Sequence, residues 1–201
     1  YATLAHRGYF PESELYTLNK IHTNLPSHCD MNKTIGIDMT TGSLGQGLSC
    51  GVGMALASRI KQDGSFTYVI LGDGELQEGQ NFEAMGFAGI QKLDHLIVFL
   101  DNNGMQIDDY TNKLVYADKY QEKFESFGFD TVVIDGHNFD QIISSIERAK
   151  KTPGMPHAII MNTIKGKGIS FIENAKLGNH SMPITAEQLE MCLKELNLED
   201  K

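Results

Sequence analysis

Asp73 stands between Gly72 and Gly74, just after a short apolar run, Thr67–Leu71 (TYVIL). A second apolar run, His95–Leu100 (HLIVFL), leads into Asp101-Asn102-Asn103-Gly104. An aspartate at the tip of a strand can aim its carboxylate at a cation. An amide oxygen on a neighbouring tip can join the same shell. Magnesium prefers near-octahedral oxygen ligands and usually keeps phosphate oxygens or water among them, so a carboxylate, an amide oxygen and a backbone carbonyl would leave room for a diphosphate and water. The flanking glycines let the backbone approach a phosphate closely and take torsions that other residues avoid. A Gly-Asp-Gly alone fits an ordinary strand-to-loop turn equally well. The chemistry therefore depends on whether the tips carrying Asp73 and Asn103 are neighbours.

The elements that would make them neighbours are legible in the chain. Beside the runs already named, Thr131–Ile134 (TVVI) reads as a strand ending in Asp135-Gly136-His137, and His157–Thr163 as another. Between them lie helical patterns at Phe82–Leu93, Asp118–Phe127 and the amphipathic Phe139–Lys151. Strands alternating with helices predict right-handed crossovers and a mainly parallel sheet, hence an α/β fold. Polar loops rich in Asp, Asn and Gly follow several of these strands, where open α/β sheets bind ligands. Gly47, Gly51, Gly53, Ala55 and Ala57 predict a helix packed closely on its neighbours. Tyr1–Tyr9 reads as the later part of a helix, and a preceding stretch is expected; Thr185–Leu198 reads as one terminal helix.

Composition bounds the function. The chain has 201 residues, 41% of them hydrophobic, enough for one sizeable core and one domain over residues 1–201. A net charge of −9 argues against a nucleic-acid partner and against an anionic membrane surface. No run approaches the roughly 18 apolar residues of a membrane span, and no secretory leader is expected. Cys29, Cys50 and Cys192 show no CxxC spacing, so neither a disulfide framework nor a zinc site is expected. A reducing cytoplasm is the setting that follows.

Longer segments carry a family resemblance. GDGELQEGQNFEAMGFAGIQKLDHLIVFLDNNG, residues 72–104, resembles the thiamine diphosphate motif: a GDG, a helix, then a strand ending in NN. Thr40–Gly47 (TTGSLGQG) resembles the transketolase TTGPLGQG segment, with Ser43 where that family has Pro. Leu25–Asp30 (LPSHCD) resembles the family's Pro-Gly-His-Pro segment. Lys165–Asn174 (KGKGISFIEN) resembles a KGKG…EN segment shared by transketolases and deoxyxylulose-phosphate synthases, and Asp135–Asn138 (DGHN) a strand end of the same family.

The resemblance implies a three-layer α/β/α thiamine diphosphate-binding fold. It implies that Asp73 and Asn103 ligate magnesium, for which calcium or manganese can substitute, and that Met105 adds its carbonyl. Gly72, Gly74 and Glu75 would meet the diphosphate end of the cofactor, with Gly74 donating its N–H. Gly42, Ser43 and Leu44 would touch the cofactor's rings, and Ile107 would pack against it. Glu75 and Glu78 also suit a plainer role as carboxylates complementing a helix N-terminus. His28 would face the substrate channel and His180 the diphosphate and reacting carbon; both would bind hydroxyls and move protons. His137 would orient loops, and Asp101 would sit behind the ligands.

The activity implied is transfer of a two-carbon ketol unit from a ketose phosphate to an aldose phosphate. The resemblance covers only the first domain of a full-length transketolase. In that superfamily a separate pyrimidine-binding domain supplies a glutamate to the cofactor, and no segment after Asn174 is long enough to be that domain. The expected partner is a C-terminal transketolase subunit carrying it, in a heterotetramer or a dimer of such pairs. The GDG…NN pair is shared with the alpha-type chain of 2-oxo acid dehydrogenases, but TTGSLGQG, DGHN and KGKG…EN favour transketolase. A deoxyxylulose-phosphate synthase fragment and a non-catalytic thiamine-binding module are the other readings.

Overall fold

The structure is a computed structural model, and it describes residues 1–107, 109–114 and 119–197. The chain divides into two compact units, Tyr1–Gly47 and Leu48–Lys201. The first contains α1 (Ala2–His6) and a 3-10 turn at Glu12–Thr17. Its small core is Ala5, Phe10 and Leu25, with Tyr1, Leu4 and Leu15 packed against it.

The second unit is built on a parallel sheet. Its strands are β1 (Thr67–Gly72), β2 (Leu96–Asn102), β3 (Asp130–Asp135) and β4 (His157–Asn162), in the spatial order β1-β2-β4-β3. All pairs are parallel, with Gly72 opposite Asp101 and Asp135 opposite Asn162. Side chains alternate across each strand. Leu96, Val98 and Leu100 therefore enter one core and Ile97 and Phe99 the other. The first core is closed by α2 (Gln46–Lys61), α3 (Gly79–Ile90) and α5 (Tyr120–Ser126), through Leu48, Val52, Met85 and Phe124. The second is closed by α6 (Phe139–Lys151), through Ile142, Ile146 and Ala149. These are the expected three layers. Between α3 and α5 the chain also forms α4 (Thr111–Leu114), and after β4 come α7 (Ser170–Ala175) and α8 (Ala186–Glu195). Among the described residues, no helix is long and apolar enough to cross a membrane.

The strands and α6 lie where expected, within one residue except at the end of β2, which runs on two residues to Asn102. The helix expected at Phe82–Leu93 runs instead from Gly79 to Ile90, because Lys92 takes a positive φ of 52° and ends the winding. The expected helix Asp118–Phe127 is seen as Tyr120–Ser126, and Asp118 lies outside the described residues. Thr185 caps the terminal helix from outside: its hydroxyl accepts the Gln188 N–H, and the Gln188 side chain accepts the Thr185 N–H at 2.9 Å. Leu198, the expected end of that helix, is also outside the described residues.

Close helix packing holds at only some of the small residues. A Cβ on Gly51 would lie 2.4 Å from Val69 Cγ2, and Ala55 is buried, whereas Gly47 and Gly53 face open space and Ala57 is exposed. The tightest approach lies elsewhere. A Cβ on Gly89 would fall 1.7 Å from the backbone carbonyl oxygen of Phe127. Backbone cannot swing aside as a side-chain tip can, so Gly89→Ala is expected to destabilise at the upper end of overpacking costs, about 3 kcal/mol. For a chain of this length that lowers Tm by roughly 6–12 °C. A calorimetric melt checks it, and an unchanged Tm would contradict the packing described.

Candidate functional site

The register of β1 on β2 sets Asp73 and the residues after Asp101 side by side. The Asp73 N–H continues the ladder by donating to the Asp101 carbonyl at 3.2 Å. The Asp73 carboxylate then reaches into the next loop: Oδ2 accepts the Gly104 N–H at 2.7 Å, and Oδ1 accepts the Gly74 N–H at 2.9 Å. Gly104 has φ +75°, a left-handed turn open to glycine. Asn103 Oδ1 accepts the Met105 N–H at 3.0 Å, and Met105 bridges Tyr110. An amide oxygen has two lone pairs, so this bond leaves Asn103 Oδ1 able to meet a cation. Asp73, Asn103 and Met105 thus belong to one strand-tip cluster.

The charge at this cluster is unbalanced. Asp73 is 1% exposed, and burial pushes its carboxyl above the usual range, with Asp101 nearby adding to the rise. The N–H groups of Gly104 and Gly74 and the Thr111 hydroxyl act in the opposite direction. Among the described residues no Lys, Arg or His pairs with Asp73. A buried carboxylate without a cationic partner is costly, and a hard divalent cation fits the deficit. No cluster of His, Cys, Asp and Glu able to hold a metal occurs among the described residues. The donor set here draws instead on a lone carboxylate with amide and carbonyl oxygens, which suit magnesium or calcium.

The glycines beside Asp73 do not work as expected. Neither Gly72 nor Gly74 has a positive φ; Gly74 sits at φ −67°. No unusual torsion is needed because the chain passes straight into a 3-10 turn, Glu75–Gln77. Gly74 instead makes room, since a Cβ there would lie 3.0 Å from Gln106 Cβ. Glu75 Oε2 accepts the Gly72 N–H at 3.2 Å, so its carboxylate supports the tip's backbone. Glu78 is the exposed N-cap of α3. Ile107 is 63% exposed.

Other residues hold the cluster that the motifs did not single out. Asn81 on α3 is fully buried and donates to the Glu75 carbonyl at 2.7 Å. Thr111 and Tyr120 are buried beside Asp73. Their signal in the sequence was weak, since a lone Thr or Tyr has no spacing to read. Asp101 accepts a hydrogen bond from the Thr163 hydroxyl, tying β2 to the end of β4.

The loop after β3 lies on the far side of the sheet from β1, with β2 and β4 between them. There His137 Nε2 accepts the Ile164 N–H at 2.8 Å, the loop-orienting work expected of it. His180 is exposed and follows the 3-10 turn Lys176–Asn179. Asn179 anchors that turn, donating to the Ile172 carbonyl at 3.0 Å. Among the described residues no hydrogen bond joins His180 to the Asp73 tip.

In the first unit the structure brings His28 and Gly42 together. Gly42 has φ +125°, and a Cβ on it would lie 2.5 Å from His28 Cδ2. The Thr41 N–H donates to the Cys29 carbonyl at 3.3 Å, and Cys29 Sγ meets the Thr41 hydroxyl at 2.8 Å. A cavity of about 280 Å³ is lined by Tyr1, Ser27, His28, Cys29, Ile37, Thr41 and Gly42. Ser43 and Leu44 are exposed beyond it. Gly42→Ala is expected to displace the His28 ring, with about 1–3 kcal/mol of backbone strain besides. The imidazole proton shifts of His28 report it; unmoved shifts would contradict the contact.

Comparison with known proteins places these features. The family described as "Transketolase, thiamine diphosphate binding domain" matches residues 1–201. The 6-deoxy-6-sulfo-D-fructose transketolase subunit SqwG of Clostridium sp. (strain MSTE9) is 52% identical over 199 residues, covering 99% of this chain and 72% of that protein. An apulose-4-phosphate transketolase subunit from Actinobacillus succinogenes is 38% identical over 196 residues, covering 98% of this chain and 70% of its own length. The crystal structure of transketolase from Campylobacter jejuni superposes with a TM-score of 0.85 at 30% identity, over 92% of this chain but 30% of that one.

Proposed function

The chain belongs to the transketolase thiamine diphosphate-binding family, and from that premise we propose that it is the diphosphate-binding subunit of a two-component transketolase. A partner chain supplies the pyrimidine-binding domain and its glutamate. The reaction is transfer of a two-carbon ketol unit from a ketose phosphate, or a ketose bearing another terminal anion, to an aldose phosphate. Two relatives that this chain matches over most of their length are named as transketolase subunits, which supports the two-component arrangement. The sulfo-sugar in the name of the 52% relative is the reason for including a second donor class. The family match favours ketol transfer over a 2-oxo acid dehydrogenase component.

One observation carries the reading: a buried carboxylate, Asp73, held against the Asn103–Met105 loop with no cationic side chain among the described residues to balance it. Asp73, Asn103 and the Met105 carbonyl would hold a divalent cation, magnesium by preference, and the cation would hold the diphosphate. Gly74 would contribute its backbone, and Glu75 steadies the Gly72 N–H. Bound there, thiamine diphosphate supplies the carbanion chemistry that side chains lack. In the first unit, His28 sits at the cavity wall, where an imidazole can hydrogen-bond a sugar hydroxyl and accept or return its proton. His180 is assigned the second such role on its sequence motif. The setting proposed for the chain is a reducing cytoplasm, on the spacing of the three cysteines in the sequence.

Calorimetric titration with thiamine diphosphate, with and without magnesium, tests this reading. Magnesium-dependent binding is the expected outcome. Absence of such binding, even in the presence of the partner chain, would favour a non-catalytic module.

A further inference from the structure

We propose that Thr111, backed by the hydroxyl of Tyr120, is a positioning residue for Asp73, fixing the carboxylate oxygen that faces the 103–105 loop. The proposal rests on the reading of Asp73 as a cation ligand. Thr111 is attached at both edges of that cluster. Its N–H donates to the Gly104 carbonyl at 3.0 Å, and its hydroxyl lies 3.4 Å from Asp73 Oδ2, the oxygen that also takes the Gly104 N–H. One residue therefore closes the loop carrying Asn103 and Met105 and touches the carboxylate across from it. The Gln106 N–H to the Asp109 carbonyl at 3.0 Å and the bridge between Met105 and Tyr110 make the same closure from within.

Burial gives this contact its weight. Thr111 is 1% exposed and Tyr120 4%, so neither hydroxyl can turn to bulk water. The Tyr120 hydroxyl is buried with no hydrogen-bond partner among the described residues. Burial holds its phenol up to about 12, with the Thr111 hydroxyl acting the other way and the Asp73 carboxylate adding to the rise. It is thus a donor without a competing acceptor, beside a hydroxyl that can both accept and donate. A threonine hydroxyl has one proton and two lone pairs. If Tyr120 gives its proton to Thr111, the Thr111 proton is directed to Asp73 Oδ2. The carboxylate is then turned by two donors on one oxygen, before any cation arrives.

A magnesium titration at fixed thiamine diphosphate, followed by thermal shift and calorimetry, tests the idea on the purified chain by itself and together with its partner. Thr111→Val keeps the shape and removes the hydroxyl. It should raise the magnesium concentration for half-maximal stabilisation by about 10–100-fold, the usual effect of losing a residue that orients a metal ligand. Thr111→Ser should titrate with the parent. Tyr120→Phe keeps the ring in the core and should shift the titration in the same direction, which reads the relay even if Thr111→Val does not fold. A purely structural role would lower the cation-free Tm of these variants and leave the magnesium titration unmoved; that result overturns the proposal. A parent chain indifferent to magnesium would overturn the cation reading as well, so the two failures are distinguishable.

Discussion

Asp73→Asn is expected to abolish magnesium-dependent binding of thiamine diphosphate while leaving the fold in place. Asn matches Asp in size, so the 1%-exposed position is refilled without a cavity, at a cost of about 1–3 kcal/mol for the one backbone N–H, of Gly74 or Gly104, that its amide nitrogen cannot accept. The change removes the carboxylate that accepts the Gly104 N–H and so reaches the Asn103–Met105 loop. Losing one member of a buried charge pair costs about 3–5 kcal/mol, or roughly two to three and a half powers of ten in affinity. Titration calorimetry with and without a chelator measures the effect; equal affinities for parent and variant would remove Asp73 from the site. The sign of the pH dependence follows. Burial raises the Asp73 carboxyl above its unfolded value, so in the cation-free chain its contribution to stability is present at low pH and lost as pH rises. A cation must displace the proton that this shift favours. Magnesium binding should therefore weaken as pH falls toward the raised carboxyl range, and it should regain strength above it.

The isolated chain is expected to show no ketol transfer, and its partner to confer it. The superfamily's glutamate comes from a separate domain, and the Campylobacter transketolase that superposes on 92% of this chain extends far beyond the match. Assays with xylulose 5-phosphate and ribose 5-phosphate, and with a terminally sulfonated ketose as alternative donor, should read as buffer for the chain alone. With the partner present, one donor should turn over at about 1 s⁻¹ or faster, the ordinary enzymatic range. Turnover by the purified single polypeptide would refute the two-component arrangement.

The fold was legible because its strands are short apolar runs bounded by Gly, Asp and Asn. His95–Leu100 could be read as a buried strand and Thr67–Leu71 as a strand beside it, although Tyr68 and Ile70 leave one face of β1 exposed; that Gly72 stands opposite Asp101 is seen only in the structure. The order of the sheet was less legible. Nothing local in Thr131–Ile134 says that β4 will insert between it and β2, because that choice is made by crossover packing. Glycines were the least readable residues. Gly89 carries the tightest backbone approach and Gly74 makes room for Gln106, while Gly47 and Gly53 face open space. A glycine's reason lies in its neighbour in space, which the sequence does not display.

The site divides along the same line. The strand-tip cluster of Asp73 and Asn103 could be expected because its chemistry is written in residue type and in position after a strand. Thr111 could not, since its hydroxyl meets Asp73 across 38 residues of chain, and Asn81 and Tyr120 could not, since each is a buried polar side chain with no motif around it. Glu75 lay between these cases: the resemblance made it a contact of the diphosphate end and the sequence allowed a helix N-terminus role, and its carboxylate accepts the Gly72 N–H.

Anomalous diffraction from crystals grown with thiamine diphosphate and manganese in place of magnesium would locate the cation directly. The expected result is a peak bonded to the Asp73 carboxylate, Asn103 Oδ1 and the Met105 carbonyl, with metal–oxygen distances close to the roughly 2.0–2.1 Å of an octahedral magnesium site. A peak away from these oxygens, or cofactor bound with no metal between it and Asp73, would contradict the account.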